Sequence, residues 1–136
     1  MEPSDLWLIE PMPRFHHVNL AVLPDEVESE MSFLTDVLGY QRMELNERLA
    51  GMGARWFEAD DGSQVHLSLD PEHRPAARAH VAVEYGPQLA DVEDRLRQAA
   101  VEFNAGALAG FPRVVTCRDP GGNLWELRGE MEAAEA

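Results

Sequence analysis

The sequence predicts an α+β fold made of two copies of a strand–helix–strand–strand–strand unit. Three observations carry this. His17-Val18-Asn19-Leu20-Ala21-Val22 reads like His80-Val81-Ala82-Val83-Glu84-Tyr85, 63 residues later. Each copy is followed by a stretch with apolar residues at helical spacing. Each half then reaches a glycine turn and a strand, Gly62-Ser63-Gln64-Val65-His66-Leu67 and Gly122-Asn123-Leu124-Trp125-Glu126-Leu127.

The elements follow in order. Residues 1–13 read as an N-terminal arm, with Leu6-Trp7-Leu8-Ile9 as an apolar run that packs on the body or on a partner subunit. The first unit spans 14–69. Its first strand lies at 15–22. Pro24-Asp25 opens a helix, with Asp25 as N-cap and Glu28 at the capping-box position. Val27, Met31, Leu34 and Leu38 form its apolar face, and Gly39 stops it. Strands are expected near 40–45, 54–59 and 64–69, with Asp61-Gly62 as the turn between the last two. Residues 70–78, with Pro71 and Pro75, read as a linker.

The second unit spans 79–129. A strand near 79–85 leads to a helix in which Pro87 sits early and Leu89, Val92, Leu96 and Ala99 make the apolar face. Strands near 101–104, 111–118 and 123–128 complete it, with Asp119-Pro120-Gly121-Gly122 as the last turn. Residues 130–136 read as a frayed acidic tail.

Composition bounds the function. The 136 residues carry a net charge of −14 and are 45% hydrophobic, enough for a core. Nucleic acid and anionic membrane surfaces are disfavoured as partners, because both need a basic patch. Cys117 is the only cysteine, so no internal disulfide framework exists and a reducing cytoplasm is the expected location. No segment approaches the length of a membrane span, and the start Met1-Glu2-Pro3-Ser4-Asp5 lacks the basic region of a signal peptide.

Strand alternation then tests where polar residues point. Val18, Leu20 and Val22 share one face of their strand, and His17, Asn19 and Ala21 the other. Val65, Leu67 and Leu69 oppose Gln64, His66 and Ser68. Val81 and Val83 oppose His80, Ala82 and Glu84. Trp125 and Leu127 oppose Leu124, Glu126 and Arg128. The apolar faces are expected to carry the helices. His17, His66, His80 and Glu126 all lie on the opposite faces, which enclose one cavity if the sheets curve towards each other. Imidazole and carboxylate donors suit Zn, Ni, Co, Mn or Fe(II), and a set without thiolate argues against a closed structural zinc site. A polar pocket without metal is the alternative. Asn19, Ser68, Trp56 and Arg113 are candidate substrate-binding residues; Phe57 and Phe111 are weighed with them, and Phe57 is read as core. His16 has the wrong parity for the cavity.

These segments, together with Phe33-Leu34-Thr35-Asp36-Val37-Leu38-Gly39-Tyr40 and Asp119-Pro120-Gly121-Gly122-Asn123-Leu124-Trp125-Glu126-Leu127, resemble the vicinal oxygen chelate superfamily, the glyoxalase/bleomycin-resistance/dioxygenase group. The resemblance runs from Arg14 to Arg128. It implies paired βαβββ modules whose cup-shaped mixed sheets surround a central cavity with a divalent transition metal. It implies ligands at His17, His66, His80 and Glu126, with the second position variable in the family. It also implies a small-molecule substrate and a homodimer. One departure is Ala100-Val101, where many relatives have glycine after the second helix.

The resemblance leads to a metal-dependent lyase or isomerase that acts on a small oxygen-bearing substrate. Glu126 could serve as its catalytic base only by loosening from the metal. The rival is a bleomycin-resistance-type drug-binding protein, whose ligand could be cationic given the acidic charge. An extradiol Fe(II) dioxygenase ranks third, because such enzymes are usually about twice as long and carry an extra acid–base histidine. Fosfomycin-type thiol transfer is disfavoured, since no phosphonate-binding segment is evident.

Overall fold

A computed structural model describes residues 12–106 and 110–131 of the chain. The apolar run at 6–9 and the end of the acidic tail lie outside them. Two four-stranded mixed sheets form, each followed through the chain as the sequence predicts. The first contains β1 (His17–Val22), β2 (Gln41–Arg42), β3 (Arg55–Glu58) and β4 (Gln64–Leu69), in the order β1-β4-β3-β2. The second contains β5 (His80–Gly86), β6 (Phe103–Gly106), β7 (Pro112–Arg118) and β8 (Leu124–Met131), in the order β5-β8-β7-β6. In each sheet the first and last strands pair in parallel and the others antiparallel. β8 runs two residues past the expected module end at 129.

The helices cover one face of each sheet, as parity requires. α1 (Val27–Ser32) is preceded by a 3-10 turn at Pro24–Glu26 and continues as a π-helical turn through Phe33–Val37. Asp25 is not the expected N-cap. Leu23 takes that place, Pro24 supplies the first helical residue with its fixed φ, and no side-chain cap bond forms. The π turn closes with the Leu38 amide donating to the Phe33 carbonyl at 3.1 Å. Glu30, Phe33 and Val37 are buried together with Val27, Leu34 and Leu38, while Met31 is only half-buried. Gly39, at φ +87°, stops the helix as expected.

A short helix that the sequence reading missed, α2 (Glu47–Gly51), is capped by Asn46, whose Oδ1 accepts the Leu49 amide at 2.9 Å. α3 (Leu89–Gln98) buries Leu89, Val92 and Leu96, with Pro87 just outside and Ala99 exposed. It ends in a full Schellman motif: Val101 donates to the Leu96 carbonyl and Ala100 to the Arg97 carbonyl. Ala100 sits at φ +57°, the only non-glycine residue with positive φ among those described.

The helix-bearing faces of the two modules share a single core that includes Val22, Leu34, Phe57, Leu96, Trp125 and Leu127. Tyr85 Oη donates to the Leu38 carbonyl at 2.6 Å and Arg95 Nε to the Val37 carbonyl at 2.9 Å. Asn123 Nδ2 donates to the Ala21 carbonyl at 3.0 Å. The linker is stitched to the last turn by Arg118, whose guanidinium donates to the carbonyls of Ala76, Ala77 and Gly122.

That turn also joins the two modules. Glu30 of α1, fully buried, accepts the Gly121 amide through Oε1 at 2.9 Å. Its Oε2 has no hydrogen-bond partner among the described residues. Burial, then the neighbouring Asp119 carboxyl group, push the Glu30 acid up to about 9, so it is protonated at neutral pH. Asp119 in turn accepts the Asn123 amide at 2.8 Å and Trp125 Nε1 at 2.9 Å, which fixes the start of β8. Among the described residues, no helix is long and apolar enough to cross a membrane.

Candidate metal and substrate site

The strands leave one face of each sheet free of helices, and the candidate donors stand on those faces. On the first sheet, β4 lies between β1 and β3, with His66 in register with Trp56 of β3 and Asn19 of β1 and diagonal to His17. The His17 and His66 rings stack at 4.1 Å and 14°, and those of His66 and Trp56 at 4.2 Å and 6°. His66 Nε2 is 2.8 Å from Gln64 Oε1, an acceptor, so this nitrogen carries the proton. Burial, then His17 and His16, lower the His66 pKa to about 4, which keeps the ring neutral at pH 7. Asn19 and Ser68 share this face, with Ser68 Oγ donating to Asn19 Oδ1 at 2.9 Å.

His16 corrects the parity argument. It lies just before β1, where alternation no longer governs direction, and its Nδ1 is 2.8 Å from His17 Nδ1. One ring therefore donates to the other, and Nε2 is the remaining nitrogen of His17.

On the second sheet, register places Glu126 beside Ala82 of β5 and Thr116 of β7. His80 Nδ1 is 2.9 Å from the Arg78 carbonyl, so Nδ1 donates and Nε2 is the remaining nitrogen. Backbone anchoring of the second ring nitrogen is the usual way a ligating histidine is oriented. Nε2 stands 4.0 Å from Glu126 Oε1. Two donors on one metal at about 2.1 Å each are about 3.0–3.4 Å apart for right-angle or tetrahedral geometry, so a small closure of this pair would suit a first-row metal. The other oxygen, Glu126 Oε2, accepts from Arg128 Nη1 at 3.0 Å, and Arg128 Nε reaches Glu84 Oε1 at 3.1 Å. Arg128, two residues on from Glu126, shares its strand face, which is the signal in the sequence for this contact.

The four donors form two pairs, not one cluster. No three His, Cys, Asp or Glu side chains among the described residues converge to hold a metal. The expected central cavity with all four donors is therefore not closed within this chain. The modules meet through their helix-bearing sides, and the donor faces lie on the opposite sides. Arg113 also departs from expectation. It shares parity with Val115 and Cys117, which are buried under the helices, and pairs with Glu93 of α3 at 2.6 Å. It is thus on the helix side, a placement its strand parity signals. Phe57 is fully buried, as expected, whereas Phe111 is exposed.

The family model of the Glyoxalase/Bleomycin resistance protein/Dioxygenase superfamily matches residues 14–127. A comparison with curated proteins finds no match. Among solved structures, a glyoxalase family protein from Bacillus anthracis is similar with a TM-score of 0.75 at 20% identity, covering 90% of this chain and 98% of that one. A glyoxalase/dioxygenase from Nostoc punctiforme has a TM-score of 0.72 at 23% identity, covering 97% of each chain. The fosfomycin resistance protein FosX from Listeria monocytogenes has a TM-score of 0.70 at 14% identity, covering 89% of this chain and 96% of that one. A FosX variant has been solved with Mn(II) and 1S,2S-dihydroxypropylphosphonic acid. At these identities the likeness to solved structures speaks for the fold.

Proposed function

The chain belongs to the Glyoxalase/Bleomycin resistance protein/Dioxygenase superfamily, and from that premise we propose that it is a metal-dependent lyase or isomerase acting on a small oxygen-bearing substrate. The observation that carries this reading is His80. Its Nδ1–H is fixed by a backbone carbonyl and its Nε2 is turned towards Glu126 Oε1. A histidine with no ligand to serve gains little from that arrangement on an exposed sheet face.

The donor pairs lie on separate faces, so a second copy of the chain completes the site, with His17 from one copy and His80 and Glu126 from the other. His17, His80 and Glu126 would hold a divalent ion there, and its Lewis acidity would lower the cost of negative charge developing on substrate oxygen. The chain's own residues bind and orient. Asn19 and Ser68 offer hydrogen-bonding groups beside His17, and Trp56 walls the same face. Arg128 holds one oxygen of Glu126, which leaves the other for the ion or for a proton.

One observation favours the rival reading of a drug-sequestering protein without metal: His17 and His66 stack face to face and do not converge. Elemental analysis of protein purified without chelator or His-tag, alongside sedimentation, separates the two. The expected result is about one transition metal per chain in a dimer, lost in His80→Ala with the fold intact. Metal content that is zero, and stays zero after reconstitution, refutes the metal reading and leaves the sequestering protein. The metal found would also narrow the chemistry: Zn, Ni or Co fits a lyase or isomerase, and Fe an extradiol dioxygenase.

A further inference from the structure

One peptide group, that of Gly121, ties three parts of the fold together. Its amide donates to Glu30 Oε1 of α1 at 2.9 Å, and its carbonyl accepts from His73 Nε2 of the linker at 3.0 Å. The turn that carries it belongs to the second module. The contact is close: a Cβ added at Gly121 would lie 2.7 Å from Val22 Cγ1 and 3.1 Å from Glu30 Oε1. A Cβ added at Gly122 would lie 2.5 Å from Pro75 Cγ of the linker. First module, linker and second module are thus fastened at one point.

The pocket around Glu30 is built for an acid, not for its anion. The side chain is fully buried, Oε1 is taken by Gly121, and Oε2 has no hydrogen-bond partner among the described residues. A buried carboxylate needs several donors to offset its lost hydration. The charged groups around it do not supply them. Asp119 of the last turn, itself buried, and Glu26 of the 3-10 turn before α1 are like charges that disfavour ionisation. Cys117 of β7 stays a neutral thiol, pushed up to about 12 by burial and then by Asp119. Arg118 directs its guanidinium to the carbonyls of Ala76, Ala77 and Gly122, and His73 meets the Gly121 carbonyl, not the acid. The Gly121 amide does favour the anion, but burial and Asp119 outweigh it.

We propose that Glu30 is a pH-operated latch: protonated, it locks α1 to the last turn, and on ionising it leaves its pocket for water, so that the last turn and the linker come away from α1 together while the sheets stay folded. No metal or substrate takes part. In the open form the acid is solvated and titrates near 4.5, whereas in the closed form it keeps its proton up to about 9. Between these values opening releases one proton, so its equilibrium constant rises about tenfold per pH unit. The latch is tight in acid and loosens as pH rises through neutrality.

The test is native-state hydrogen exchange of the full chain, followed by NMR at pH 6, 7 and 8 and corrected for intrinsic rates. The Gly121 amide is expected to exchange through a local opening, with less protection than the amides of the inner strand β4 and no response to low urea. Its protection is expected to fall about a hundredfold from pH 6 to pH 8 in wild type, and to stay nearly constant in Glu30→Gln. Trypsin cleavage after Arg78, measured against Glu30→Gln at each pH, is expected to speed up over the same range.

Gly121 protection that matches β4 and falls with urea in step with it would mean that the joint opens only with the whole fold, and would overturn the latch. So would a local opening that ignores pH, or a pH slope as steep in Glu30→Gln as in wild type. Cleavage after Arg78 that does not rise with pH against the variant would refute release of the linker. Wild type alone decides the first two outcomes, so they stand even if the variant does not fold.

Discussion

Glu30 should make this protein lose stability as the pH rises through neutrality, and glutamine at that position should remove the effect. In an unfolded chain a glutamate titrates near 4.5, whereas burial and the Asp119 carboxyl group hold Glu30 at about 9 in the fold. Between those values the folded state keeps a proton that the unfolded state has released. The stabilisation is therefore complete below the unfolded value and lost as pH rises towards the folded one. The slope is about −1.4 kcal/mol per pH unit, or about 3 kcal/mol between pH 6 and 8. Glu30→Gln stays neutral throughout and can still accept the Gly121 amide through Oε1. Urea unfolding of both proteins at pH 6, 7 and 8 is the assay. Every other titrating group is common to both proteins, so its contribution cancels in the difference between them. The variant is expected to gain on wild type steadily, by at least about 2 kcal/mol at pH 8 relative to pH 6. Parallel stabilities across the range would mean that Glu30 is already ionised in the fold, and the account of the inter-module joint would be wrong.

The other predictions concern neighbouring features. Ala100→Gly should stabilise the fold by about 1 kcal/mol, because glycine adopts the positive φ at this helix stop without the Cβ cost that alanine bears; a lower urea midpoint would refute this. Gly121→Ala should cost at least about 2 kcal/mol, since the added Cβ would lie 2.7 Å from Val22 Cγ1 and 3.1 Å from Glu30 Oε1; a wild-type melting temperature would show the joint to be looser than described. Arg113→Ala should cost about 1–2 kcal/mol by leaving the buried Glu93 carboxylate unpaired, a figure discounted because the guanidinium is partly exposed. It should leave metal affinity unchanged; a large loss of metal or ligand binding with stability intact would restore Arg113 to the site.

Much of the architecture is written locally. The repeat, the alternation in β1, β4, β5 and β8, and the stop at Gly39 each depend on a few adjacent residues, so they survive without knowledge of the rest. The same alternation put His17, His66, His80 and Glu126 on the helix-free faces. It would have put Arg113 on the helix side had it been applied to β7. Helix detail was less legible. The π turn after Ser32 adds a residue that simple periodicity does not anticipate, and nothing near Glu30 in the sequence announces the Gly121 amide it meets 91 residues away. Strand parity misplaces His16, because the strand begins one residue later.

The sequence by itself determined the two modules, their element order and the faces on which the candidate donors stand, because backbone periodicity and turn chemistry are properties of short segments. Only the tertiary structure decided that the modules join through their helices and that the donors stand as two separate pairs. It also decided that His66 is sandwiched between His17 and Trp56. Each of these depends on how distant surfaces pack, and packing is settled by the burial of whole faces, not by the residues that happen to be neighbours along the chain.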